Sequence, residues 1–127
     1  MYSILKNRYF TVLIASVLLS INFLQAQTNV SSNITTNTTW TLINSPYIVK
    51  SNILVNSGIT LNIEPGVVVK FDDNVGIVVN GKIIGDGTPT NSIIFTSSNI
   101  TPNAGDWAQL DSQQVLRHLF GMAVKII

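Results

Sequence analysis

The apolar residues between Trp40 and Ser98 come in short triplets that return at a nearly constant distance, and that return limits the folds open to the protein. Ile53-Leu54-Val55 recurs as Ile77-Val78-Val79 after 24 residues, Ile59-Thr60-Leu61 as Lys82-Ile83-Ile84 after about 23, and Val67-Val68-Val69 as Ile93-Ile94-Phe95 after 26. Triplets this short, separated by Gly, Asn, Asp and Pro, read as strands and turns. Three strand classes sharing one drifting period predict a coil with three strands per turn, each stacking on its equivalent in the next turn. That is an all-β fold, a parallel β-helix of about two to three coils. A small β-sandwich or meander built from the same strands is the alternative.

Side-chain alternation agrees with the coil. Ile59, Leu61 and Ile63 share one face with Thr60 and Asn62 on the other, and Val67, Val69 and Phe71 do likewise with Lys70 outward. In the next coil Ile83 and Gly85 point inward and Lys82, Ile84 and Asp86 outward, which leaves Ile84 and Ile94 as outward apolar residues. Glu64-Pro65-Gly66 and Asp86-Gly87-Thr88-Pro89 fit turns, because Pro fixes φ and Gly accepts a positive one. A coil buries little until a neighbour stacks on it, so the ends need covers. Trp40, Leu42, Tyr47 and Val49 are expected to form a partial first coil, with Trp40 closing the bottom of the core.

Ahead of the repeat the sequence changes character twice. Lys6 and Arg8 precede Tyr9 to Leu24, 16 residues without a charge that end at Leu24-Gln25-Ala26. This reads as a signal-peptide helix over residues 1–26, with Ala26 the candidate cleavage residue and a product beginning near Gln27. An uncleaved anchor is the alternative, the run falling just short of the roughly 20 residues that span a bilayer. Residues 27–39, QTNVSSNITTNTT, read as a polar linker, either a flexible lead-in or a ragged cap. Their Asn-x-Ser/Thr matches at Asn29, Asn33 and Asn37, and the one at Asn99, are expected by chance in a sequence so rich in Asn and Thr.

Charge and cysteine content then exclude several functions. Removal of Lys6 and Arg8 with the leader leaves 5 basic against 6 acidic residues, a balance with no footprint for nucleic acid and no basic stripe for anionic membranes. A membrane enters only through an uncleaved leader. The absence of cysteine excludes a disulfide framework, a thiolate metal site and a lipidated cysteine.

Several ordered pieces then add up to a family likeness. Trp40-Thr41 is followed by Gly58-Ile59-Thr60-Leu61-Asn62-Ile63-Glu64-Pro65-Gly66-Val67, then Val69-Lys70-Phe71. After these come Val79-Asn80-Gly81-Lys82-Ile83-Ile84-Gly85-Asp86-Gly87-Thr88, Ile94-Phe95-Thr96-Ser97 and Gly105-Asp106-Trp107. In this order the residues from 40 to 107 resemble the N-terminal coils of secreted right-handed parallel β-helix proteins of Gram-negative bacteria. The resemblance implies the handedness of the coil and a secreted or outer-surface location. After Trp107 it lapses, where such proteins continue with further coils. Residues 108–127 form a divergent tail in which Val115, Leu119, Met122 and Ile126 fall at helical spacing behind an Asp111-Ser112 cap. The expectations there are a short helix plugging the coil stack, or a truncated or frame-shifted reading frame.

Residues with chemistry are sparse. Asp72 and Asp73 follow the Val67 to Phe71 strand, where loop carboxylates of a β-helix can bind calcium or act on a polysaccharide. Asp-Asp-Asn is also an ordinary turn, and one coil later the equivalent place is expected to carry Thr96 or Ser97. Asp86 and Asp106 stand alone in turns, Glu64 precedes a proline, and His118 is the one histidine. Asp111, Ser112 and His118 have the residue types of a hydrolytic triad but lie on one short segment, whereas a triad draws on separate elements. Trp40 and Trp107 can stack on sugar rings or close the core. No catalytic residue and no cofactor is assigned, and Asp72 and Asp73 are the metal candidates. The expected function is a non-catalytic secreted or surface scaffold that binds glycans or envelope components. The alternative is the N-terminal part of a polysaccharide lyase or hydrolase whose active coils lie elsewhere.

Overall fold

A computed structural model describes residues 26–108, 110–111 and 124–127. The expected leader over residues 1–26 therefore lies, apart from Ala26, outside the described residues. Within them, eleven short strands wind around one core. They are β1 (Thr28–Val30), β2 (Thr38–Trp40), β3 (Tyr47–Val49), β4 (Ile53–Val55), β5 (Thr60–Ile63), β6 (Val68–Phe71), β7 (Ile77–Val79), β8 (Lys82–Gly85), β9 (Ile93–Ser97), β10 (Leu110–Asp111) and β11 (Val124–Ile126). Sheet neighbours are never consecutive in sequence: the three sheets run β1-β3-β6-β9-β11, β4-β7-β10 and β2-β5-β8. All eight pairings among the described strands are parallel. The backbone thus visits each sheet once per turn and makes a parallel β-solenoid of about three turns.

Period-two alternation is what lets such short strands fold. Leu54 pairs with Val78 on the outer side, while Ile53 with Ile77 and Val55 with Val79 form inward columns. Val49, Val55, Leu61, Val67, Val69, Phe71, Ile77, Ile93 and Phe95 are fully buried. Burial of each such side chain contributes about 1.5–3 kcal/mol, which offsets the ordering of strands too short to persist alone. At the lower end Trp40, 3% exposed, stacks on Tyr47 with ring centroids 4.8 Å apart. The Tyr47 hydroxyl in turn accepts a bond from the Thr41 amide at 2.8 Å. Trp40 therefore closes the bottom of the core, as its position in the sequence suggested.

Four expectations change. Residues 27–39 are a rung: β1 pairs with β3, Ile34 bridges Val55, and β2 pairs with β5. What holds this rung is side-chain amide chemistry. The Asn33 Oδ1 accepts the Leu54 amide at 3.0 Å and the Asn37 Oδ1 accepts the Thr60 amide at 2.9 Å. Leu42 leaves the expected first-coil core for a 3-10 turn, Leu42–Asn44, and is 52% exposed, with its amide held by Glu64 Oε2 at 2.8 Å. In the β2-β5-β8 sheet, Thr60 faces Lys82 and Leu61 faces Ile83, one residue off the expected match, because inward alternation overrides the likeness of the triplets. Finally, the tail runs through strand at both ends of its described part: Asp111, the expected cap, lies in β10 beside Val78, and Ile126 lies in β11 beside Phe95. Residues 112–123, including Val115, Leu119 and Met122, lie outside the described residues.

Candidate functional site

The richest group of polar side chains sits at the corner after the β3-β6-β9 sheet. There the register carries Lys50, Asp72 and Ser98 to equivalent places on successive coils, one residue past Val49, Phe71 and Ser97. Position 98, not 96 or 97, is thus the coil equivalent of Asp72. The Lys50 amine lies 3.1 Å from Asp72 Oδ2, and the Ser98 hydroxyl donates to Asp72 Oδ1 at 2.7 Å. Asp73 has its own partner 26 residues on, the Asn99 side-chain amide at 2.9 Å. The two carboxylates are consecutive in sequence, yet their hydrogen bonds go to different residues.

Asp106 closes the group from the far end of the next loop. Its Oδ2 accepts the Asn103 amide at 2.8 Å and the Asn99 side-chain amide at 3.2 Å, while its own carbonyl accepts the Asn74 amide at 2.9 Å. Asn74 sits at φ 58, a left-handed conformation that asparagine tolerates. Behind this polar shell Trp107 lies 4.6 Å over Phe71, nearly parallel to it. The register explains the space: Ser97 is the residue stacked on Phe71, and so small a side chain leaves room for the indole.

Electrostatics define what these groups can do. Hydrogen bonding to Ser98 is the leading cause that holds Asp72 below the usual carboxylate range; burial opposes it, and the hydrogen bond and charge of the Lys50 ammonium add to it. The Asn103 amide first, then Asn99 and Ser97, lower Asp106 in the same way. A general acid at neutral pH needs the opposite shift. Both groups are built to remain ionised acceptors.

The remaining sequence candidates are dispersed. Glu64 holds the Leu42 amide, Asp86 is exposed beyond β8, and Asp111 lies in β10, while Ser112 and His118 lie outside the described residues. Among the described residues no group of three or more His, Asp or Glu side chains is placed to hold a metal ion. Trp40 is buried, and Trp107 is half-buried with one face spent on Phe71. The braces between coils are absent from the sequence expectations. Besides Asn33 and Asn37, the Ser45 hydroxyl accepts the Val68 amide at 2.9 Å and Asn52 Oδ1 accepts the Gly76 amide at 2.8 Å. Each brace joins a side group to a backbone amide 21 to 24 residues later. The coil period was therefore the signal that could have found them.

Comparison with known proteins follows the same boundaries. The family model of the pectate-lyase-like beta helix domain matches residues 32–111, from just before the Ile34 bridge to the end of β10. Protein bark beetle of Drosophila melanogaster is 41% identical over 59 residues, which is 46% of this chain and 2% of that protein. The matched stretch thus spans about 2% of the length of that curated relative. No solved structure matches the protein.

Proposed function

The chain belongs to the family of pectate-lyase-like β-helix domains, and from that premise we propose that it is a non-catalytic scaffold, exported to the cell surface or beyond, whose coil faces bind glycans or envelope components. The observation that carries this reading is how the polar side chains are used. Asp72, Asp73 and Glu64 each accept a hydrogen bond from a neighbouring coil, Asp106 accepts two within its own loop, and the two shifted carboxylates, Asp72 and Asp106, are lowered. Their chemistry is spent on joining coils and tying that loop. A β-helix fold by itself selects no reaction, since one scaffold hosts many unrelated sites. Export rests on the charged N-terminus and the uncharged run from Tyr9 to Leu24.

The purified protein is incubated with pectin and with alginate while polymer scission is followed, and binding to the same polymers is measured by sedimentation. The expected result is retention on one or more acidic polysaccharides with no scission. Scission that disappears in Asp72→Asn, with the β-sheet spectrum intact, would replace this reading with a lyase or hydrolase. For export, intact-mass analysis of the secreted product is expected to give a protein beginning near Gln27. A cell-retained product beginning at Met1 would overturn that part.

A further inference from the structure

The corner between β7 and β8 consists of two residues, Asn80 and Gly81, and this pair has reactive chemistry of its own. In an Asn-Gly pair the glycine amide nitrogen can attack the carbonyl carbon of the asparagine carboxamide. A new bond from that nitrogen to the carbon closes a five-membered succinimide. The carboxamide nitrogen departs as ammonia when its own bond to the same carbon breaks, taking up through solvent the proton that the backbone amide gives up. Water then opens the ring at either carbonyl, giving aspartate or, more often, isoaspartate with an extra methylene in the backbone. Glycine favours the step because no side group hinders the approach.

Here the fold holds back the nucleophile. The amides of Asn80 and Gly81 each donate to the Val55 carbonyl at 3.0 Å, so the nucleophilic nitrogen is tied to the coil below. The Lys82 amide is tied to the Ile59 carbonyl at 2.8 Å. Gly81 itself is walled in: a Cβ at that position would collide with the carbonyl oxygens of Ile59 and Asn56. Ring closure requires the Gly81 nitrogen to leave the Val55 carbonyl and turn toward the Asn80 carboxamide, and the close carbonyls of Ile59 and Asn56 pack against the residue that must move. Asn80 is exposed to the water and base that the reaction needs.

We propose that Asn80-Gly81 is a self-modification site, sheltered while the β7–β8 corner is bonded to the coil below and released when that corner opens. The product is a one-way mark. β7 is registered on β4 and β8 on β5, so the length of the corner is fixed on both sides by Leu54 facing Val78 and Leu61 facing Ile83. An isoaspartate adds one backbone atom between two strands whose registers are both set. A coil that has opened and reacted cannot regain both. For an exported solenoid this makes position 80 a chemical record that its third turn has opened.

The test follows conversion at position 80 in the full-length protein, by peptide mass and chromatographic separation of isoaspartate, in mildly alkaline buffer with and without guanidinium. Conversion in the folded protein is expected to be at least about tenfold slower than in the denatured one, since only the open fraction reacts. Asn52→Ala, which loosens the same coil without touching the pair, is expected to speed conversion of folded protein in proportion to amide exchange at Gly81. Protein carrying isoaspartate is expected not to recover the native melting transition after denaturant is removed. Equal rates in folded and denatured protein would overturn the proposal. So would no conversion in denaturant, or a modified protein that refolds with an unchanged transition.

Discussion

The indole of Trp107 lies 4.6 Å from the ring of Phe71 and within 12° of parallel, over the place that Ser97 leaves open in the next coil. A large inward ring below a small inward residue makes a step in the core, and the loop ending at Trp107 fills it. Trp107→Ala is expected to destabilise the protein by about 2 kcal/mol, less than the roughly 3–5 kcal/mol of a fully buried aromatic because the indole is half-buried. Trp107→Phe, which keeps the stack, is expected to cost under half of that. Denaturant midpoints of the two variants give the comparison.

The braces between coils make a second, graded prediction. Asn52 Oδ1 is bound to the amide of Gly76, a buried residue, whereas Asn33 Oδ1 is bound to the amide of half-buried Leu54. Asn52→Ala strands a donor away from water and is expected to cost about 1–3 kcal/mol. Asn33→Ala leaves an amide that water can reach and is expected to cost about 0.5–1 kcal/mol. Equal losses in the two chemical-denaturation curves would contradict this account of the braces.

Two glycines separate space from backbone conformation. Gly81 has carbonyl oxygens where a Cβ would go, while Gly58 has φ +76 and open space around it. Gly81→Ala is expected to prevent folding or to cost more than about 3 kcal/mol by forcing the coils apart. Gly58→Ala is expected to cost about 1–2 kcal/mol, the penalty of a left-handed residue that meets nothing. Circular dichroism followed by thermal melting distinguishes the two outcomes.

The lowered carboxyls of Asp72 and Asp106 set the direction of the pH dependence. A carboxyl held below its unfolded value adds stability that is fully present above the unfolded value and is lost as pH falls through the folded one. Stability is therefore expected to be level near neutrality and to fall below about pH 4. Because the Ser98 hydroxyl is the leading cause at Asp72 and Lys50 adds both a hydrogen bond and a charge, Ser98→Ala and Lys50→Met are each expected to raise that carboxyl. Carboxyl titration by NMR reads both shifts directly.

The sequence shows this fold where apolar triplets carry it and hides it where they do not. Ile53 to Val55 and Ile77 to Val79 are alike in composition and in alternation, so their 24-residue match agrees with the observed register. Lys82-Ile83-Ile84 opens on a charge, and matching it by likeness slips it one place against Leu61. In the first rung Ile34 is the one buried apolar residue before Trp40 among those described, and the stacking is carried by asparagine carboxamides bound to backbone amides. Such bonds leave no hydrophobic pattern. In the tail, Ile126 fits both a helical spacing and the strand alternation Val124-Lys125-Ile126, and pairing with β9 decides between them. The polar corner was half legible. Asp72 and Asp73 stood out as acids in a turn, whereas Ser98 and Asn99 are their partners only once the 26-residue step of that sheet is applied.

The central claim, a parallel stack of three-strand coils, is tested most directly by cross-linking, because the protein has no cysteine of its own. Leu54 and Val78 are outward register partners on adjacent parallel strands, and strands about 4.8 Å apart bring Cα atoms within disulfide reach. Leu54→Cys combined with Val78→Cys is expected to oxidise readily to an intramolecular disulfide in the folded protein. Leu54→Cys combined with Ile84→Cys, whose second position lies in a different sheet, is expected to keep both thiols free. Failure of the first pair to close while both thiols react with a soluble reagent, or closure of both pairs alike, would contradict the coil stack.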